Sequence, residues 1–85
     1  MKNQNHKPVY AIGEAARITG ATVKQLRHWH DRGYIPEPDR VVCGERSYRQ
    51  FHSDDLEIIS RIKEYLDQGF TIQAAAQKTK DEFKY

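Results

Sequence analysis

One cysteine, Cys43, in 85 residues leaves this chain without an internal disulfide or a paired-cysteine zinc site. The fold must rest on packing. No apolar run approaches the roughly 20 residues that span a bilayer, and the opening MKNQNHKPVY lacks the apolar core of a secretory signal. The chain therefore reads as cytoplasmic, with no membrane partner. Internal repeats and low-complexity segments are missing too. So are a Ser/His/Asp set and a phosphate-cradling glycine loop, and the adjacent Asp54 and Asp55 are better explained as charge in the first turn of a helix. Catalysis is not expected. His28, His30, Cys43 and His52 follow no familiar ligand spacing, so no metal and no other cofactor is expected either.

What is present suits one small domain. A hydrophobic fraction of 38% and a mean hydropathy of -0.89 describe a polar surface, yet Ile, Leu, Val, Phe and Tyr recur at regular spacing. The net charge of +2 is unevenly placed: residues 1–52 carry nine Lys/Arg against five Asp/Glu, and residues 53–85 carry five against seven. Such asymmetry suits a first half that faces a polyanion, although scatter on a solvated surface would look the same.

Residues 1–8 read as a polar tail with a short extended lead-in at Pro8 to Tyr10. A first helix is predicted over Ile12 to Thr19, with Ile12, Ala15, Ala16 and Thr19 on one face and Gly20 as its stop. Thr22 is placed to cap a second helix running to Gly33. Its inner side takes Val23, Leu26 and His30, its outer side Lys24, Gln25, His28 and Arg32, and its flanks Arg27 and Trp29. Arg40 to Phe51 reads as a hairpin turning at Gly44-Glu45. Alternation sets Ser47, Arg49 and Phe51 on one face and Arg46, Tyr48 and Gln50 on the other. Ser53 is the expected cap of a third helix striped by Leu56, Ile59, Ile62 and Leu66, with Ile58 and Tyr65 widening the stripe. Gly69 ends it, Phe70 packs at the corner, and Thr71 caps a fourth helix whose Ile72, Ala75, Ala76, Thr79 and Phe83 share a face.

A capped basic helix after a short helix and a glycine is a helix-turn-helix pattern, and its chemistry suits double-stranded DNA. Lys24 can donate to guanine O6 or N7, and Gln25 can pair with adenine through N6 and N7. His28 and Arg32 extend that face, with Arg27 and Trp29 gripping backbone from either side. Trp29 is equally read as a half-buried core residue and Arg27 as a structural ion-pair partner. Arg46, Tyr48 and Arg49 on the hairpin would add affinity through counterion release. Tyr48 and Arg49 alternate, so both reach DNA only if the strand edge lies against it. The DNA-binding candidates are thus Thr22, Lys24, Gln25, Arg27, His28, Trp29, Arg32, Arg46, Tyr48 and Arg49.

The segments YAIGEAARITG (10–20), LRHW (26–29), RGYIP (32–36), SYRQF (47–51), Asp55-Leu56 and GFTI (69–72) together resemble the DNA-binding domain of the MerR family of bacterial transcription regulators. The resemblance covers residues 9 to about 80. It implies a mainly α fold, a winged helix-turn-helix of four helices and a β-hairpin wing, with helix 22–33 in the major groove and hairpin 40–51 on flanking backbone. In such proteins the positions matching Arg27, His28, Trp29, Tyr48 and Arg49 commonly help bind DNA. The family usually has an acidic residue where His30 stands and tyrosines where His28 and Trp29 stand, and the wing here is longer, closer to light- and cobalamin-responsive relatives. Typical members are homodimers joined by a long helix that residues 81–85 would begin, so the dimer region is expected outside this chain. The alternatives are a stand-alone excisionase-like or architectural accessory protein, and a protein-interaction module with an apolar patch around Trp29 and Tyr34.

Overall fold

Val9 and Tyr10 form a short strand, β1 (Val9–Tyr10), in the computed structural model, which describes residues 8–37, 39–44 and 46–85 and the backbone alone of 39–43 and 46–48. After it come helices α1 (Ile12–Thr19) and α2 (Val23–Asp31), the hairpin strands β2 (Asp39–Cys43) and β3 (Arg46–His52), and helices α3 (Ser53–Asp67) and α4 (Ile72–Phe83). The fold is mainly α: a winged helix-turn-helix with four helices and a hairpin wing among the described residues. Residues 1–7 of the expected tail lie outside them.

The lead-in is a true sheet member. β1 pairs antiparallel with β3, Val9 opposite His52 and Tyr10 opposite Phe51, so β3 becomes the central strand between β1 and β2. The hairpin register sets Arg40 opposite Arg49 and Val41 opposite Tyr48.

Helix ends follow local chemistry. At Gly20 the backbone turns left-handed, φ 84°, where a side chain would be strained, and its N–H donates to the Ala16 carbonyl at 2.9 Å. Thr71 caps α4 by accepting from the Ala74 N–H at 3.1 Å. Ser53 does not cap α3. The cap is His52, whose backbone N–H donates to Asp55 Oδ2 at 2.9 Å, leaving Ser53 as the first helical residue. The acidic side chain three residues on reaches back to the cap, and that reach fixes the boundary one position earlier.

The core joins all four helices to the sheet. Ala15 and Ala16 of α1, Leu26 and Trp29 of α2, Phe51 of β3, Leu56, Ile58, Ile59 and Ile62 of α3, and Ala75 of α4 form its cluster with Ile35. Small Ala15 and Ala75 are fully covered, which allows α1 and α4 to approach α3 closely. Thr79 is also fully buried, and its hydroxyl donates to the Ala75 carbonyl at 2.8 Å. Phe70 is less committed than the sequence suggested. It is 37% exposed and meets the Tyr65 ring edge-on, with centroids 5.4 Å apart and Lys78 Nζ 5.0 Å above it. None of the described helices is long and apolar enough to cross a membrane.

The sequence places the domain's end near residue 80, but α4 continues through Phe83. Lys84 then turns left-handed, φ 60°, and the Tyr85 hydroxyl donates to the Tyr34 carbonyl at 2.7 Å. Residues 81–85 are thus packed onto the same unit. Burial pushes the Tyr85 hydroxyl from its usual 10.0 up to about 12.

Two outcomes are expected. Phe51→Ala should destabilise by about 3–5 kcal/mol because it empties a covered site, whereas Phe70→Ala should lose about 1 kcal/mol with its ring pair; equal losses in urea unfolding would contradict this division of the core. The folded chain holds the Tyr85 proton more tightly than the unfolded one, so that contribution is intact below pH 10 and disappears as pH climbs through about 12. Tyr85→Phe should flatten the fall in stability across that window. An unchanged alkaline profile would remove Tyr85 as its source.

Candidate nucleic-acid interface

The first turn of α2 is held by a reciprocal cap. Thr22 Oγ1 accepts from the Gln25 N–H at 3.0 Å, and Gln25 Oε1 accepts from the Thr22 N–H at 2.9 Å, satisfying two amides that the helix itself cannot. At the other end Gly33, φ 76°, supports a paired closure: Tyr34 N–H to the Trp29 carbonyl at 2.8 Å and Gly33 N–H to the His30 carbonyl at 3.0 Å. This turn sends buried Ile35 back into the core.

Which residues α2 presents follows from what it buries. Leu26 and Trp29 point inward, and Trp29 is only 3% exposed. Its placement among the DNA contacts is corrected: the indole is a core group, because burying its large apolar area outweighs leaving it on a flank. The same burial removes the exposed patch that a protein-interaction module around Trp29 and Tyr34 would need.

Lys24, Arg27, His28 and Arg32 are exposed on the outer side, with Gln25 and Thr22 at the helix start. Lys24, Arg27 and Arg32 have no acidic partner among the described residues. Among the described residues Arg27 thus lacks the ion pair that one reading gave it. Three cations elsewhere are engaged with carboxylates. Arg61 meets Glu64 at 3.1 Å and Glu82 at 3.2 Å, Lys63 meets Asp67 at 3.0 Å, and Arg17 meets Glu14 at 3.5 Å. The outer side of α2 is a strip of unneutralised positive charge.

Arg49 has a role that the sequence reading missed. Alternation puts it on the face of buried Phe51, which turns it back toward α2. Its Nε donates to His30 Nδ1 at 3.2 Å, and its guanidinium lies 4.0 Å from Asp31 Oδ1 with the side chain 21% exposed. The same His30 nitrogen lies 3.9 Å from Asp31 Oδ1, so the three side chains form one cluster. The wing is thereby fastened to the carboxyl end of α2, and the parity shared with Phe51 was the available signal. The side chains of Arg46 and Tyr48 lie outside the described residues, as does that of Cys43.

Because Arg49 and His30 act as one joint, their losses should not add. In a double-mutant cycle of His30→Ala and Arg49→Ala, thermal or urea unfolding should give a coupling of about 1 kcal/mol. Additive single losses would show that the bond contributes nothing in solution.

Comparison with known proteins fits this architecture. Residues 10–82 match the family described as MerR HTH family regulatory protein. A mercuric resistance operon regulatory protein of Bacillus cereus is 38% identical over 63 residues, 74% of this chain and 46% of that protein. The HTH-type transcriptional regulator CueR of Vibrio cholerae is 38% identical over 52 residues, 61% of this chain and 37% of its own length. This chain spans less than half the length of those two relatives. A crystal structure of a MerR family regulator that lacks the sensor domain, bound to promoter DNA, superposes with a TM-score of 0.73 at 21% identity, covering 88% of this chain and 55% of that one. At that identity the likeness speaks for the fold. With nearly every described element inside the matched span, the chain belongs to the MerR HTH family of regulatory proteins.

Proposed function

We propose that this chain is the sequence-specific, double-stranded DNA-reading part of a transcription regulator. The observation that carries the proposal is the strip of unpaired cations, Lys24, Arg27 and Arg32, along a helix whose other side is locked in the core. A polyanion releases counterions on meeting such a strip, and a helix of this diameter fits the major groove. In helix-turn-helix docking the N-terminal residues of the second helix meet base edges. Lys24 and Gln25 occupy those positions here, with Arg27, His28 and Arg32 along the phosphates.

The hairpin lies beside α2 because Arg49 holds it there, so the backbone flanking the groove falls to β2 and β3. Membership of a family of regulatory proteins, and relatives named as regulators, support a role in transcription. Homodimerisation through a region outside these residues would align two such reading heads on two half-sites, which suits a regulator of a pseudo-palindromic promoter. The cytoplasm, where that DNA lies in bacteria, is the corresponding location.

Titration with fragmented bacterial DNA at several salt concentrations tests the proposal. Binding should weaken steeply as salt rises, and Arg27→Ala and Arg32→Ala should each lower the log–log slope by about 1 without changing the sequences preferred. Lys24→Ala should change those sequences instead. DNA binding that is absent, or indifferent to salt, would refute it.

A further inference from the structure

The cap at the start of α2 constrains how Gln25 can read a base. A backbone N–H can only donate, so the amide atom 2.9 Å from the Thr22 nitrogen is the Gln25 oxygen. That fixes which edge of the planar amide is left over. The free edge carries the NH2 group, which has no hydrogen-bond partner among the described residues, on a half-buried side chain in the turn that meets base edges. Reading adenine with both amide atoms would require the oxygen to accept from adenine N6 with its second lone pair while still holding the Thr22 N–H, or to leave the cap.

We propose that Gln25 reads DNA as a hydrogen-bond donor only, selecting guanine, with acceptors at both O6 and N7, ahead of thymine O4 and ahead of adenine. This deepens the DNA-reading proposal and rests on it. Thr22 acts here as a positioning residue, because its backbone N–H turns the amide and its hydroxyl anchors the Gln25 backbone at 3.0 Å. The cap thus serves two purposes with one side chain: it closes the helix start and it sets the polarity of the contact. Cytosine, which offers only a donor at that groove edge, is excluded.

Two variants separate the polarity of the amide from its capping. Gln25→Glu keeps an oxygen that can cap, since Glu and Gln both serve at this position, but replaces the outward donor with an acceptor. Gln25→Lys keeps a donor and loses the cap. Bound duplexes are selected from a randomised library with the full chain and each variant, the best duplex is then titrated with each base at the position facing residue 25, and thermal midpoints are measured in parallel.

The wild type should favour guanine at that position by about tenfold over adenine. Gln25→Lys should retain the guanine preference with a lower thermal midpoint, and Gln25→Glu should lose it, moving toward cytosine, with its midpoint retained. Adenine favoured by the wild type and replaced by guanine in Gln25→Lys would overturn the proposal, since it would show that the oxygen leaves the cap to read the base. Preferences identical in all three proteins would overturn it as well, because Gln25 would then touch no base. Should the wild type select no sequence at all, the underlying DNA-reading proposal falls with it, a result distinct from either of those.

Discussion

The Phe51 ring is the joint on which the arrangement depends. It sits fully buried at the end of β3, pairs across the sheet with Tyr10, and faces α1 and α3 from a strand that belongs to both the wing and the core. One residue later His52 starts α3, so the sheet's exit and the helix's entry are fixed together. Two residues earlier, on the same face, Arg49 reaches α2. A hairpin alone is marginal in water. Anchored at this ring, it has a direction relative to the recognition helix.

Charge is sorted by the same packing. On α3 and α4 the basic side chains meet carboxylates within 3.2 Å, or, for Lys78 and Lys80, lie over aromatic rings. The exposed pairs among them contribute little stability individually. Residues 53–85 carry five Lys/Arg against seven Asp/Glu and so a negative field, whereas Lys24, Arg27 and Arg32 have no acidic partner among the described residues. The charge asymmetry that the sequence shows between its halves is sharpened along one helix side, since two of the five acidic residues of the first half are drawn to other cations: Glu14 to Arg17, and Asp31 to Arg49.

The helices were legible because their signals are local. Apolar spacing, the caps at Thr22 and Thr71 and the stop at Gly20 depend on near neighbours, and each stands where the sequence put it. Long-range competition was not legible. From Leu26, a step of three leads to Trp29 and a step of four to His30, and periodicity permits either to face inward. Both turn inward: the indole is 3% exposed and the His30 side chain 9%, and Arg49 meets His30 there. The lead-in at Pro8 to Tyr10 was read as extended but not as a sheet member, since two residues make no pattern and only pairing with β3 makes them a strand.

Arg49 shows how one side chain can satisfy both the sequence reading and the structure. Fastening the wing engages Nε, but a guanidinium carries five N–H donors in a rigid fork, and the group remains 21% exposed. A phosphate oxygen can therefore be met by the outer nitrogens without breaking the bond to His30. Lysine could not do both, because a flexible ammonium has no fixed second edge to present. The acceptor's identity matters to this division. An imidazole nitrogen takes the bond where a carboxylate would also cancel the guanidinium's charge, and Asp31 at 4.0 Å is 68% exposed, where water screens it. The wing residue nearest α2 is thus held in place while keeping much of the charge that a nucleic acid would meet.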